Sequence, residues 1–326
     1  MNTNKTINWG IIGLGKIAHK FAKDLSTLTD AKIYAVASRS QDKANEFAKS
    51  YQATKAYSSY EALANDATID AVYIATPHVF HKENTIMCLK KGIAVLCEKP
   101  FAMNLEEVSE MIATAKANNT LLMEALWTAF LPHYQHVQNL LQKNHFGKLL
   151  KMEADFGFQP EYDENSRVIK KALGGGSLLD IGIYPIFAAL STLGNPQNIE
   201  ASATFFDNGS DASCHMVFQY PNNVRASLKS TLLEETETSA TFYCEQGIIK
   251  INGRFHEPST VTLLPQNGIE EILDFGYNTI GYSFETRHFN QLIREGKTES
   301  NIMPFEFSKT LITTLDSVRK KINLNY

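Results

Sequence analysis

Residues 7–18 read INWGIIGLGKIA, an apolar run that ends in glycine and leads into a segment with helical spacing. Gly13, Gly15 and Ala18 match the pattern G-x-G-x-x-G/A. After a strand, Gly13 permits a tight turn, Gly15 lets the backbone approach a pyrophosphate, and Ala18 lets the helix pack close to the strand. The unpaired N–H groups at the start of the helix would face the phosphates. The stretch therefore predicts a dinucleotide-binding βαβ unit.

Strand-like and helix-like segments alternate from this motif through residue 124. The strand-like segments are short and apolar throughout, as expected when both faces of a sheet are covered. The alternation predicts an α/β Rossmann domain over residues 1–124, with a doubly wound parallel sheet. The predicted strands are 7–12, 32–37, 71–75, 94–97 and 121–124, and the predicted helices are 16–25, 41–50, 79–91 and 105–118.

Residues 125–326 show a different pattern, in which strand-like runs with turns between them outnumber the helices. This pattern predicts an α+β domain with a large, mostly antiparallel open sheet, whose broad face a second subunit could cover. Asn222-Asn223 and Gln246-Gly247 are candidate hairpin turns. The predicted strands are 148–158, 199–206, 214–220, 224–233, 239–244, 247–252 and 260–264. The predicted helices are 133–144, 284–295 and 306–320, and a glycine-rich loop followed by a helix is predicted at 174–193.

The size and charge of the chain exclude several classes of protein. A chain of 326 residues suits two domains, and its 44% hydrophobic and 20% charged residues are typical of soluble globular proteins. The net charge is −4, and no cluster of Lys and Arg stands out. Binding to nucleic acid or to an anionic membrane therefore has no electrostatic support.

The four cysteines, at positions 88, 97, 214 and 244, form no CxxC pair and have no histidine at metal-ligand spacing. Reduced thiols and the absence of a metal site are the expected interpretation. We find no signal-peptide pattern, and no apolar run approaches the roughly 20 residues that span a bilayer. The sequence predicts a soluble cytoplasmic protein.

The end of the second predicted strand selects between the two dinucleotides. NAD sites usually carry Asp or Glu there to hold the ribose 2′-hydroxyl, whereas this chain has Ser38 and Arg39. A hydroxyl and a guanidinium suit the 2′-phosphate of NADP. The alternative is that Arg39 is a solvated surface residue. We predict that the cofactor is NADP, with NAD possible.

Further motifs make the chain resemble the Gfo/Idh/MocA family of oxidoreductases, over nearly its whole length. Residues 123–128 (MEALWT) and 180–185 (DIGIYP) resemble most closely the branch of trans-1,2-dihydrobenzene-1,2-diol dehydrogenases and NADP-dependent D-xylose dehydrogenases. The motifs that carry the family resemblance are GLGKIA at 13–18, ATPHVFH at 75–81, CEKPF at 97–101 and GGGSLLDIGIYP at 174–185.

This resemblance implies the contacts of the cofactor and the catalytic residues. Lys99 would be the essential cation beside the nicotinamide, before a proline bond that is often cis, and Asp180 and Tyr184 would belong to the catalytic helix. It also implies a homodimer or homotetramer. The predicted cofactor-binding residues, from motif and resemblance together, are Gly13, Gly15, Lys16, Ile17, Ser38, Arg39, Thr76, Pro77, His81, Glu98, Lys99 and Trp127.

The chemistry of these residue types agrees with that assignment. Asp180 and Tyr184 are four residues apart on a predicted helix and therefore share one face. A free tyrosine has a pKa of about 10, and a nearby ammonium such as Lys99 would favour the phenolate. Such a pair can serve as general base in oxidation and general acid in reduction, with Asp180 holding the substrate hydroxyl. The alternatives are an ordinary half-buried Tyr184 and an Asp180 that caps or solvates its helix.

One position departs from the pattern of the branch. The residue after Trp127-Thr128 is normally arginine there, and this chain has Ala129. The missing guanidinium puts the identity of the substrate in doubt. His133 and His136 lie nearby in the sequence and could substitute, although a lone histidine is more often structural.

Together these features predict reversible NADP-linked oxidation of a CH–OH group in a small polyol, cyclic diol or aldose. A non-catalytic NADP-binding sensor or regulator on the same fold is the alternative, since fold does not determine function. Retention of Lys99, Asp180 and Tyr184 argues against the sensor. A metal-dependent hydrolase would need a cluster of ligands that we do not find.

Overall fold

The computed structural model describes residues 5–326, which form two compact units. The first unit contains the described residues up to Trp127 together with Asn278–Lys309, and the second contains Thr128–Tyr277 and Thr310–Tyr326. The sequence-based boundary between residues 124 and 125 is close to the first crossing of the chain. It assigned every later residue to the second domain, however, whereas the structure returns residues 278–309 to the first unit.

The first unit is built on a six-stranded sheet whose paired strands are all parallel. The strand order is β3-β2-β1-β4-β5-β6, so the order reverses between β1 and β4, where open α/β sheets bind their ligands. The doubly wound parallel sheet is confirmed. Its elements are β1 Ile7–Ile12, α1 Lys16–Leu25, β2 Ala31–Ala37, α2 Gln41–Tyr51, β3 Lys55–Tyr57, α3 Tyr60–Ala64, β4 Ala71–Ile74, α4 His81–Leu89, β5 Ala94–Glu98, α5 Leu105–Ala117 and β6 Leu122–Ala125.

The second unit contains an eight-stranded sheet, which confirms the mostly antiparallel domain predicted from the sequence. β7 and β10 form its one parallel pair among the described strands. Asn222 and Asn223 both have φ of 60° in the turn before β10. The elements are α6 Pro132–Gln142, β7 Leu149–Gly157, α7 Ile183–Leu193, β8 Asn198–Phe205, β9 Asp211–Gln219, β10 Arg225–Thr231, β11 Ala240–Cys244, β12 Gly247–Ile251, β13 Val261–Pro265 and β14 Glu271–Leu273. The strand order is β14-β13-β12-β11-β7-β10-β9-β8.

The apolar helix α7 packs on β7 and β10 at one face of this sheet. With the turns before it, it forms a helical segment, Lys171–Leu193, that is long and apolar enough to cross a membrane by length and composition. The sequence had suggested no such segment. Its most apolar window is 94% buried inside the fold, as in the core helix of a globular domain. The other face presents Tyr243, Ile248 and Leu264 as cross-strand neighbours that are only partly buried.

Helix α8, Tyr282–Glu295, explains why the chain returns to the first unit. Its start is held by the buried carboxylate of Asp24, on α1, and farther along Trp9 Nε1 donates a 3.0 Å hydrogen bond to Asn290 Oδ1. Asp24 accepts from the backbone N–H groups of Ile280 (3.0 Å), Gly281 (2.8 Å) and Ser283 (3.1 Å). The last helix, α9, spans Phe305–Lys321.

Candidate functional site

The glycine turn between β1 and α1 brings the backbone close to the loop after β4 and leaves space open before the helix. Gly13 has φ of 88°, and a Cβ added there would lie 2.7 Å from the backbone of Ala75 and Thr76. Gly15 precedes the first residue of α1, and a Cβ added there would meet no atom of residues 5–326 within 4 Å. Open space therefore faces the unpaired N–H groups at the start of the helix, where an anion binds favourably. The predicted contacts Lys16 and Ile17 form the start of α1, exposed and half-buried respectively.

A cavity of about 510 Å³ in the first unit collects several of the predicted cofactor residues. Arg39 lies at its lining and is exposed, and among residues 5–326 its guanidinium has no hydrogen-bond or ion-pair partner. Ser38 precedes it, with Oγ accepting a 3.2 Å hydrogen bond from Ser40 N. An exposed guanidinium beside hydroxyl groups fits a phosphate ester. The lining residues are Arg39, Ser58, Ser59, Tyr60, Glu61, Thr76, Pro77, Phe80, Glu83, Asn84 and Met87.

His81 was predicted to line the cofactor groove, but the structure buries it completely behind the groove. Its Nε2 lies 2.9 Å from the carbonyl oxygen of Thr76, and its Nδ1 lies 2.9 Å from that of Pro100. Burial lowers the pKa of His81 to about 4, so the ring is neutral and donates to one carbonyl at a time. We interpret His81 as a support that joins the loop after β4 to the turn after β5.

The turn after β5 contains Glu98 and Lys99, and the bond between Lys99 and Pro100 is cis, as the resemblance implied. Glu98 is buried and accepts hydrogen bonds from the hydroxyl of Tyr73 and, at 3.2 Å, from Lys99 N. Sequence reasoning did not select Glu124, the residue that holds the peptide N–H of Phe101 in this turn. Glu124 Oε1, on β6, accepts a 3.0 Å hydrogen bond from Phe101 N. Burial raises the pKa of Glu124 to about 7.

Trp127, the last predicted cofactor contact, is buried in the first unit. Its ring stacks on that of Tyr282, with centroids 4.3 Å apart and planes 20° apart. Tyr282 is the first residue of α8, so the returning helix completes the surroundings of this tryptophan.

In the second unit, Asp180 and Tyr184 are both 5% exposed and lie within about one turn of each other. Asp180 belongs to a π-helical turn, Leu178–Gly182, that runs directly into α7, rather than to the regular helix that the sequence predicted. Such wide turns are frequent at functional sites. Arg167 binds the carboxylate of Asp180 with two parallel contacts, of 3.1 Å to Oδ1 and 3.2 Å to Oδ2. This bidentate ion pair fixes the orientation of the carboxylate.

Tyr184 lies against two aromatic rings that sequence reasoning did not select. The ring of His256 is centred 4.8 Å away and that of Phe156 is centred 5.7 Å away. His256 and Phe156 also contact each other, at 4.2 Å. His256 lies in a loop between β12 and β13, without periodicity or a motif that would mark it in the sequence. The two rings and Tyr184 form a buried aromatic cluster.

Residues near Ala129 hold the backbone of the loop that contains His256. Thr128 Oγ1 donates a 2.8 Å hydrogen bond to the backbone oxygen of His256, and His133 Nε2 lies 3.1 Å from that of Phe255. Burial lowers the pKa of His133 to about 4, which favours a neutral ring. These contacts favour a structural role for His133, which holds the backbone beside His256. His136 is exposed and contacts Phe275.

Among residues 5–326, no three His, Cys, Asp or Glu side chains are grouped so that they could hold a metal ion.

Residues 7–126 match the family model described as an oxidoreductase family with an NAD-binding Rossmann fold, and residues 134–250 match the GFO/IDH/MocA C-terminal domain. Trans-1,2-dihydrobenzene-1,2-diol dehydrogenase of Xenopus tropicalis is 35% identical over 330 residues, covering 98% of both chains. The enzyme of that name from Homo sapiens is 32% identical over 330 residues, with the same coverage.

Among solved structures, the 3-ketoreductase KijD10 of Actinomadura kijaniata, in complex with NADP and TDP-benzene, has a TM-score of 0.87. It is 26% identical, and the match covers 98% of both chains. Mutants of that ketoreductase in which a lysine is replaced by alanine or a tyrosine by phenylalanine have also been solved with both ligands. The aldose–aldose oxidoreductase of Caulobacter crescentus has the same fold, with a TM-score of 0.89 at 20% identity over 98% of both chains. With family models matching both parts of the chain and relatives above 30% identity along its length, this protein belongs to the Gfo/Idh/MocA family of NAD(P)-dependent oxidoreductases.

Proposed function

We propose that this oxidoreductase acts on a CH–OH group of a small polyol, cyclic diol or aldose, with Tyr184 as the acid–base residue and Lys99 as the cation that favours its phenolate. NADP, when bound, supplies the hydride acceptor for oxidation and the hydride donor for reduction. The chain's own residues bind and orient the two reactants, and they move the hydroxyl proton.

The first unit supports binding of NADP by its shape and charge. The open space in front of Gly15 would receive the pyrophosphate, and the exposed guanidinium of Arg39 would donate charge-assisted hydrogen bonds to the 2′-phosphate. Thr76 and Pro77 line the same cavity as Arg39. Glu98 carries a buried carboxylate whose contacts with Tyr73 and with Lys99 N hold the turn that contains Lys99.

The observation that carries the proposal is the ion-paired Asp180 about one turn before the buried Tyr184. In the oxidation direction, Tyr184 would accept the proton of the substrate hydroxyl, and in reduction it would return that proton. Because a free tyrosine has a pKa of about 10, this role needs a nearby cation, and Lys99 is our candidate. Asp180, oriented by Arg167, would accept a hydrogen bond from a substrate hydroxyl.

The relatives support the class of substrate. The curated relatives are named for a cyclic diol, and the solved neighbour is a ketoreductase bound to NADP and a TDP compound. Its solved mutants replace one lysine and one tyrosine, the two residue types that we propose for catalysis.

We expect Tyr184→Phe and Lys99→Met each to lower turnover by a factor on the order of 10² or more, because each removes part of the acid–base pair. Absorbance of the reduced nicotinamide, measured with a panel of sugars, diols and diketones, identifies the substrate and gives kcat. Binding of NADP to Tyr184→Phe, measured by calorimetry, should equal that of the unmodified protein.

Tyr243→Phe and Lys91→Met are matched controls, because neither side chain is buried and both lie outside the proposed site. Near-normal turnover by Tyr184→Phe would remove the tyrosine from this role. A protein that binds NADP but oxidises and reduces none of the panel would favour the sensor over the enzyme. Assembly into a homodimer or homotetramer and location in the cytoplasm remain predictions, to be tested by light scattering and by fractionation.

A further inference from the structure

The segment that carries Asp180 begins with a backbone that side chains other than glycine rarely adopt. Gly174 has φ of 76° and Gly176 has φ of 127°. A Cβ added to Gly176 would also overlap the Oδ1 atom of Asp211. The absence of a side chain at position 176 therefore leaves room for the carboxylate of Asp211.

Asp211 is the first residue of β9 and is completely buried. Its Oδ2 accepts hydrogen bonds from Leu178 N at 2.6 Å and from Ser177 Oγ at 2.7 Å. Ser177 Oγ also lies 3.0 Å from Ser230 Oγ on β10. Burial raises the pKa of Asp211 to about 6, so the group is charged at neutral pH and above.

This carboxylate replaces the local cap that the segment lacks. Leu178 is the first residue of the π-helical turn, and the side chain of Ser177, which precedes it, makes no capping hydrogen bond to the turn. The first N–H groups of a helical segment need acceptors from outside, and a negative charge is favoured there. Asp211, on β9, supplies both the hydrogen-bond acceptor and the negative charge.

The π-helical turn makes a second close contact with the sheet at Gly182. A Cβ added to Gly182 would lie 2.9 Å from Ser230 Oγ, so the backbone of the turn lies directly against β10. Asp180 lies between these two contacts. A shift of Leu178 away from β9 would therefore move Asp180, and with it the start of α7 that contains Tyr184.

We propose that Asp211 is a positioning residue, whose buried carboxylate holds the turn containing Asp180 in the orientation that the reaction requires. Gly176 and Ser177 are the matching parts of this arrangement, since one makes room for the carboxylate and the other donates to it. This inference rests on the proposed function, because it assigns Asp211 a role in the reaction of Asp180 and Tyr184.

The test compares Asp211→Ala and Asp211→Asn with the unmodified protein. Displacement of a catalytic group by about 1 Å can cost on the order of 10²-fold in rate, so we expect kcat of Asp211→Ala to fall about 10-fold or more. Asp211→Asn keeps one oxygen acceptor for Leu178 N and should recover part of the loss. Affinity for NADP should stay within about twofold, because the predicted cofactor contacts belong to the first unit. Asp207→Asn is the control, since this exposed acid lies between β8 and β9 in the same hairpin.

Hydrogen exchange of residues 174–186, measured by mass spectrometry, gives a second readout that needs no turnover. We expect faster exchange in this peptide in both Asp211 variants, with unchanged exchange in residues 7–25. If Asp211→Ala does not fold, Ser177→Ala removes one of the two hydrogen bonds and should change both readouts in the same direction, by a smaller amount.

Unchanged exchange in residues 174–186, or a kcat equal to that of the unmodified protein in a folded Asp211→Ala, would overturn the proposal. A merely structural role would lower the melting temperature and leave the kcat of the folded fraction intact. The proposed function fails separately, if the unmodified protein reacts with none of the sugars, diols and diketones. The exchange comparison then still decides whether Asp211 holds this turn.

Discussion

The buried carboxyl group of Glu124 should make the stability of the first unit depend on pH. Its Oε1 accepts a hydrogen bond from Phe101 N, whereas among residues 5–326 Oε2 has no hydrogen-bond partner. Burial raises the pKa of Glu124 from its ordinary value of 4.5 to about 7. The folded protein therefore binds this proton over a range of pH in which the unfolded chain has already lost it.

The sign and size of the effect follow from this difference in pKa. The stabilisation by the bound proton is fully present below pH 4.5 and is lost as the pH rises through about 7. Each pH unit in this window changes the free energy of unfolding by about 1.4 kcal/mol, so the total loss is on the order of 3 kcal/mol. Glu124→Gln keeps an oxygen acceptor for Phe101 N and cannot ionise. We expect it to match the unmodified protein near pH 4.5 and to exceed its stability by about 3 kcal/mol at pH 8.

Urea unfolding between pH 4.5 and 8, followed by tryptophan fluorescence, is a suitable assay. The chain has two tryptophans, Trp9 and Trp127, and both are buried in the first unit with Glu124. Burial lowers the pKa of His81 to about 4, and this contributes stability that is lost as the pH falls from 6.5 toward 4. The same contribution is present in both proteins, so the difference between them at each pH isolates Glu124.

Glu106→Gln is the matched control, because this glutamate is exposed on α5 in the same unit. Its curve of stability against pH should coincide with that of the unmodified protein. The reasoning would be refuted by parallel curves for Glu124→Gln and the unmodified protein across the whole range. A glutamine variant that is less stable at pH 8 would show that the charged form of Glu124 stabilises the fold.

The remaining predictions concern the cofactor and the return of the chain to the first unit. We expect NADP to bind at least about tenfold tighter than NAD, through charge-assisted contacts of Arg39 to the 2′-phosphate. Calorimetry should show that Arg39→Ala loses most of this preference and that the exposed control Arg225→Ala retains it. Equal dissociation constants for NADP and NAD in the unmodified protein would contradict the assignment of NADP. Asp24→Ala leaves three backbone N–H groups at the start of α8 without their acceptor and should destabilise the first unit by about 3 kcal/mol, measured by urea unfolding. An unchanged unfolding midpoint would show that α8 does not depend on this contact.

The sequence was sufficient for the elements with strong local patterns. The glycine motif and the apolar runs around it located β1, α1 and the alternation that follows, because each depends on residues close together in the chain. β3, α3 and β14 were missed, since elements of three to five residues are too short to show a period. The return of residues 278–309 was also missed, because the contact between Asp24 and α8 joins parts of the chain more than 250 residues apart.

The candidate site divides in the same way. Gly13, Gly15, Asp180 and Tyr184 stand in motifs, and the resemblance of those motifs assigns them. His256 stands in no motif. Its contact with Tyr184 depends on how the loop between β12 and β13 folds back, which the sequence does not show. For His133 the sequence left two interpretations, a functional substitute for the missing arginine and the more common structural role. Its contact with the backbone of Phe255 and its lowered pKa favour the structural role.

The two turns that carry the proposed catalytic groups have a common physical design. The turn after Lys99 is held at Phe101 N by Glu124, and the turn before Asp180 is held at Leu178 N by Asp211. In each case a buried carboxyl group on a strand accepts a backbone hydrogen bond, and burial raises its pKa, to about 7 and about 6 respectively. Such an acceptor fixes a peptide group more firmly than a solvated one, because no water competes for the N–H, but it costs the protein the burial of a charge. A protein has reason to retain a buried charge of this kind where the orientation of a turn matters more than the stability of the fold. We therefore expect substitutions of Glu124 and Asp211 to separate stability from turnover, with neutral replacements that stabilise the fold at alkaline pH and at the same time lower kcat.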